Sequence, residues 1–199
     1  QVIRIDLEYD PDASEEYVVT IFRDRVLTLR DGATLWEEKR SMTAVRAALC
    51  AETVSGSVYA IGGVGSSDIT GLVEKYIPGS NSWETKTSMP TARMGAVSAA
   101  YGNKIYVFGG VVFDFDRKEF SVSQASEVYD PSLDSWSTIE SMPSIDTVVN
   151  KVHPVKYGVA YGMAHVIGSK IYIFSGMKQI TYDGRSFDEN DRVLVYDTL

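Results

Sequence analysis

Ile105-Tyr106-Val107-Phe108-Gly109-Gly110, followed by Tyr129 and by Trp136 seven residues further on, is a unit that the chain repeats. Val58-Tyr-Ala-Ile-Gly-Gly63 stands 47 residues upstream, and Tyr76 again precedes Trp83 by seven. A third copy reads Ile171-Tyr-Ile-Phe-Ser-Gly176 and continues to Tyr196, with Ser175 in place of the first glycine. All three tryptophans, Trp36, Trp83 and Trp136, are followed six residues later by a methionine: Met42, Met89 and Met142. Arg46 maps onto Arg93 with the same 47-residue step. Several features recurring in one register identify a repeat protein.

Within each unit the period is that of strands. Lys104–Phe108 and Lys170–Phe174 are short, β-branched and aromatic, and are bounded by Gly, Asn or Ser. Gly102-Asn103 and Gly168-Ser169 suit tight hairpin connections. Pro78-Gly-Ser-Asn81 and Asp130-Pro-Ser-Leu-Asp134 suit turns before the Trp-bearing strand. Each unit therefore reads as four antiparallel strands, a to d, with the Gly pair ending b, the Tyr on c and the Trp on d. No segment carries helical periodicity, and the fold class is all-β.

The order Gly-Gly, Tyr, Trp in units of about 50 residues resembles the kelch repeat, one blade of a β-propeller. The resemblance runs from Leu29 to Leu199 and implies a kelch-type propeller, or part of one, built from four-stranded antiparallel blades. Its motif residues here are Gly62, Gly63, Tyr76, Trp83, Gly109, Gly110, Tyr129, Trp136, Gly176 and Tyr196. Tyr and Trp are expected to fill the space between neighbouring blades. The Gly pairs should let strand b pass where a side chain would clash.

The pattern breaks at both ends. Residues 33–199 hold the repeats, in units of about 41–88, 89–141 and 142–199. The chain ends three residues after Tyr196, so the last blade is expected to lack its outer strand. Residues 1–32 are β-rich, with Val2–Tyr9, Tyr17–Phe22 and Val26–Leu29 as strand candidates and no Gly pair. They read either as a degenerate blade or as part of another β-domain. A closed propeller has 4–8 blades. The remaining blades are expected from a longer chain, from self-association, or from a small ring closed by the chain's own Leu35–Arg40 strand. An open array would leave an apolar blade face in water.

Composition narrows the function. The 199 residues carry 19 basic and 27 acidic side chains, a net charge of −8, with 44% hydrophobic residues, enough for a packed core. Without a basic footprint no nucleic-acid partner is expected. No apolar run approaches the roughly 20 residues of a membrane-spanning helix, so no membrane insertion is expected. The single Cys50 precludes an intramolecular disulfide. Gln1, with no basic-then-apolar leader behind it, reads as the start of a mature chain or of an excerpt.

Arg46 and Arg93, if they open the innermost strands, would converge on the mouth of the central channel and suit acidic groups. The alternative is a loop carbonyl or a carboxylate of the blade as partner. The third unit has no arginine in register, Lys156 being the nearest basic residue. The b–c connections, Val64–Thr70, Val111–Gln124 and Met177–Arg192, lie on the same end. Their Phe113, Phe115, Phe120, Tyr182 and Phe187 mix with Arg117, Lys118 and Arg185, residue types of binding hot spots. The acidic groups Asp183, Asp188, Glu189, Asp191 and Asp114-x-Asp116 match no defined calcium loop, and no metal or cofactor is expected.

The reading is therefore a non-catalytic binding module that meets a protein or glycan partner on the loop-rich face through Arg46, Arg93, Phe115, Arg117, Tyr182 and Arg185. The alternative implied by the resemblance is a carbohydrate binder or enzyme, such as the sialic acid mutarotases or the copper enzyme galactose oxidase. Its candidate groups would be Glu140, Asp146 and His165, with Cys50 and the tyrosines for a copper site. The lack of an attached BTB-like or helical segment favours an extracellular or cell-surface setting, with the cytoplasm as alternative.

Overall fold

The computed structural model describes residues 3–7, 17–21, 26–28, 34–115, 118–143, 158–174, 176–180, 187–189 and 191–199. The chain divides into two compact units, Gln1–Ser41 and Met42–Leu199. The first contains two antiparallel pairs: β1 (Ile3–Leu7) with β2 (Tyr17–Ile21), and β3 (Val26–Thr28) with β4 (Thr34–Glu37). These elements fall on the strand candidates read from the sequence. Trp36 lies on β4 and is 81% exposed.

The second unit holds three successive blade sheets and two separate two-stranded hairpins among the described residues. Blade 1 is β5 (Cys50–Val54), β6 (Ser57–Ile61), β7 (Val73–Ile77) and β8 (Ser82–Lys86), in that order. Blade 2 takes β9 (Val97–Tyr101) and β10 (Lys104–Phe108), leaves the sheet for a hairpin of β11 (Val111–Asp114) and β12 (Glu119–Val122), and returns through β13 (Ser126–Asp130) and β14 (Ser135–Thr138). Blade 3 has β15 (Met163–Ile167) and β16 (Lys170–Phe174), then the hairpin β17 (Met177–Ile180) with β18 (Phe187–Glu189), and ends on β19 (Val193–Asp197). It has three strands among the described residues, with β19 at the edge.

Two of the b–c connections are not plain loops. Val111 and Phe113, two residues apart, face Val122 and Phe120 across the ladder, which is the period of a strand pair. The Gly102-Asn103 connection has φ of +57° and +62°, the geometry of a two-residue hairpin turn with left-handed central positions.

The blades are held apart by aromatic side chains and together by backbone. Tyr76 opposes Trp83, and Tyr129 opposes Trp136, each with ring centroids 5.0 Å apart. Tyr129 is fully buried and meets Tyr59 of blade 1 edge-on at 5.9 Å. Its hydroxyl donates to Asp134 Oδ1 (2.5 Å), which also accepts the Thr87 N–H of blade 1 (2.9 Å). Trp136 Nε1 donates to the Thr87 carbonyl at 2.9 Å. Tyr196 repeats the arrangement one blade on, against Tyr106 and Phe108.

The Gly pairs are where strand b touches the next blade. Gly63 N–H donates to Arg93 O (3.0 Å) and Gly110 N–H to Val159 O (2.8 Å). A Cβ on Gly109, at φ +59°, would stand 1.9 Å from the Val159 carbonyl oxygen. Gly109→Ala is therefore expected to cost about 3 kcal/mol or more, through both the clash and the left-handed backbone. Gly102→Asn, equally left-handed but with open space around it, should change stability by less than about 0.5 kcal/mol. Urea unfolding of the two variants beside the parent chain checks the contrast.

Candidate functional site

Arg46 and Arg93 are held inside their blades. Arg46 Nη1 donates to the carbonyls of Gly62 (2.6 Å) and Leu72 (2.9 Å), and Nη2 to Ala60 O (3.1 Å) and Glu74 Oε2 (2.8 Å). The other Glu74 oxygen accepts the Thr43 N–H at 2.8 Å and the Thr43 hydroxyl. Arg93 repeats the device with Glu127 (2.6 Å) and Val107 O (3.2 Å), while Glu127 Oε1 accepts both donors of Thr91. The side-chain exposures are 1% and 0% for Arg46 and Glu74, and 0% and 4% for Arg93 and Glu127. This placement corrects the expectation that the guanidinia open onto the channel mouth. Their terminal N–H groups bond strand-end carbonyls and a blade carboxylate, and both Nε atoms are buried without a partner. Arginine's planar fork of five N–H donors can meet the four acceptors around Arg46, one more than the three donors of a lysine.

Blade 3 omits the pair as a pair. The residue whose carbonyl receives the Gly110 N–H is Val159, as Arg93 O receives that of Gly63. The second residue of β19 is Leu194, where β7 and β13 carry Glu74 and Glu127. Val159 is buried, and Leu194 packs on the same cluster. Lys156 lies outside the described residues. The glutamate two positions before each motif tyrosine is the signal in the sequence that separates an inward arginine from an outward one. It travels with the arginine in blades 1 and 2 and is gone where the arginine is gone.

Burial alone would raise the Glu74 carboxyl, but the bonds from Thr43 and Arg46 outweigh it and hold the group below the usual glutamate range. A carboxyl depressed in the folded state adds stability that is present above its unfolded value, about 4.3, and lost as pH falls through the folded value. Glu74→Gln should therefore show a shallower loss of stability between about pH 5 and pH 2 than the parent. Removing one member of a buried pair strands the other charge. Arg93→Val is expected to cost roughly 3–5 kcal/mol, and Arg93→Val with Glu127→Leu, which copies blade 3, to recover most of it. Equal losses in the single and double variants, by urea unfolding, would mean the pair is not replaceable.

The site that remains open on this face is the β11–β12 hairpin. Its base is anchored: Val111 and Val122 are buried with Ala160, against Met94, Phe120 and Met177. Backbone bonds between Met94 and Val111 tie it to the start of blade 2. Phe113 meets Phe120 across the ladder and Phe115 at the tip, both at 5.1 Å and edge-on. Phe115 is 78% exposed. Arg117, Tyr182 and Arg185 lie outside the described residues. Backbone alone is described for Phe187–Glu189.

The groups singled out for carbohydrate or copper chemistry are not brought together. Cys50 is buried in blade 1, where burial pushes its thiol up to about 11. His165 pairs with Tyr172 on the exposed face of blade 3, and Glu140 lines a cavity on that blade's opposite face. Asp146 is outside the described residues. Among the described residues no three His, Cys, Asp or Glu side chains are grouped to hold a metal ion. No helix among them is long and apolar enough to cross a membrane.

No curated protein matches the chain in sequence. Among solved structures, that of YjhT, a kelch propeller, superposes with a TM-score of 0.57 at 16% identity, over 87% of this chain and 58% of YjhT. The chain thus spans less than two thirds of that protein, and the likeness is one of fold. Residues 46–90 and 92–143 match the Kelch motif. The first match begins at Arg46 and the second one residue before Arg93, so the motif boundaries coincide with the buried pairs that open blades 1 and 2. The chain thus carries two kelch repeats and has the fold of a kelch propeller.

Proposed function

We propose that this kelch domain is a non-catalytic binding module that recognises another macromolecule, a protein or a glycan, through its loop-rich end. The observation that carries the reading is the β11–β12 hairpin: a base fixed between blades and an exposed Phe115 edge-on to Phe113 at the tip. An exposed phenylalanine adds nothing to the packing of the blades. Held rigidly, it loses little conformational entropy when a partner covers it. Arg117 follows it at the tip in sequence, and Tyr182 and Arg185 occupy the corresponding connection of blade 3. They complete the proposed contact set, from which the buried Arg46 and Arg93 are removed.

Phe115→Ser should leave the unfolding midpoint and circular dichroism of the chain unchanged and weaken partner binding by about tenfold or more, the loss typical of an aromatic anchor. The check is affinity capture with parent and variant chains side by side, followed by titration of the identified partner against both. A partner whose affinity is equal for the two chains would rule out the hairpin as the contact.

A further inference from the structure

Two residues after Arg46, Arg93 and Val159, the chain entering each blade turns through the left-handed region: Ala48, Gly95 and Tyr161 have φ of +51°, +59° and +55°. The turns are bonded in series, with Gly95 N–H donating to Ala48 O and Tyr161 N–H to Gly95 O, both at 2.7 Å. Ala48 shows that the backbone at this position does not demand glycine. At Gly95 the demand comes from the next blade. A Cβ there would stand 2.6 to 2.8 Å from Cζ, Cε1 and Cε2 of Tyr161, so the tyrosine ring lies directly on the Gly95 backbone.

The tyrosine is not explained by its own blade. A bulky side chain in the left-handed region is strained, and it persists where the surroundings over-determine it. Tyr161 is 46% exposed, so filling of a blade core does not account for it. Its neighbours are those of the hairpin. Met94, the residue before Gly95, exchanges two backbone hydrogen bonds with Val111, at 3.0 and 2.7 Å. Ala160, the residue before Tyr161, is buried with Val111 and Val122, and Met94 packs on the same cluster. The base of the hairpin thus sits between a segment of blade 2 and a segment of blade 3, and the next residue of each is joined to the other by the Tyr161–Gly95 contact. Between blades 1 and 2, where the b–c connection is the short Val64–Thr70, the same peptide bond has no side chain laid across it, because residue 95 is glycine.

We propose that Tyr161 is a positioning residue of the β11–β12 hairpin: its ring, seated on Gly95, holds Met94 and Ala160 at the separation at which they grip Val111 and Val122, and so keeps Phe115 in its direction. Gly109 and Gly110 set that separation at the strand ends, and the ring holds it at the entering turns. A single peptide hydrogen bond leaves two segments free to pivot about it. A ring packed on the glycine beside that bond removes the freedom. The value of the clamp for recognition rests on the binding role proposed above, whereas the clamp itself needs no partner.

The test is amide hydrogen exchange in the full 199-residue chain. In Tyr161→Gly, which keeps the left-handed turn and removes the ring, the amides of β11 and β12 should exchange about tenfold or more faster, while those of β5 to β10 exchange as in the parent. Tyr161→Phe, which keeps the ring, should retain the parent's protection. Gly95→Ala, tolerable to the backbone as Ala48 is, should displace the ring and loosen the same amides, so a folding defect in one variant leaves the other as the test. Parent-like exchange of the hairpin in both ring-displacing variants, or acceleration spread evenly over the blades, would overturn the proposal. A hairpin that loosens as expected, while Phe115→Ser leaves partner affinity unchanged, would keep the clamp and sink the recognition reading.

Discussion

The blades stand where they do because the backbone at the end of strand b lies directly on the carbonyl that opens the next blade. Gly109 allows no Cβ toward Val159 O, and the adjacent Gly110 N–H is hydrogen-bonded to that same oxygen. A contact that is both a steric limit and a hydrogen bond fixes a distance from both sides. It sets the inner separation of successive sheets, and the aromatic layer sets the outer one. Tyr129, Tyr59 and Trp136 fill a wedge whose width the glycine has already determined. Replacing the glycine would therefore disturb residues far from it along the sheet, since a packed interior transmits a displacement rather than absorbing it.

The buried Arg–Glu pairs stand on this frame but do not create it. Val159 O accepts the Gly110 N–H as Arg93 O accepts that of Gly63, so the junction forms equally well with an apolar side chain at the position. Buried ion pairs pay heavily for desolvation, and apolar residues of suitable size often replace them without loss. Blade 3 is such a replacement within one chain, with both members exchanged together for Val159 and Leu194. What the pair adds in blades 1 and 2 is specificity of connection. Arg46 ties the carbonyls of Ala60, Gly62 and Leu72 to Glu74, and Glu74 to Thr43, so the chain entering the blade is bonded to its second and third strands.

Repeats of this kind are legible because the constraints are local and recur. A Gly pair, a tyrosine and a tryptophan at constant spacing each answer one steric demand, and between blades 1 and 2 Tyr129 and Trp136 answer it. The arginines were harder. Two arginines in register look the same in sequence whether they face a ligand or a carboxylate, and the deciding residues, Glu74 and Glu127, sit about 30 positions away on strand c. The hairpin was masked for another reason. Val111, Phe113, Phe120 and Val122 alternate as strands do, but they lie within a 14-residue connection whose charged tip reads as a loop. A period over four residues is a weak signal until its partner strand is known.

The position of that hairpin has a physical consequence for recognition. Its base is buried against Ala160 and Met177, residues of blade 3, although the hairpin itself interrupts blade 2. Its orientation therefore depends on the junction between two blades, and the junction is set by Gly109, Gly110 and Val159. The same glycine contact that spaces the sheets also aims Phe115 outward. A partner would meet a surface whose geometry is fixed before binding, so the free energy of burying the aromatic tip goes into affinity rather than into ordering a loop. The proposed recognition would be coupled to the scaffold through one backbone contact, which is how the connections of a propeller can vary in sequence while remaining precise in space.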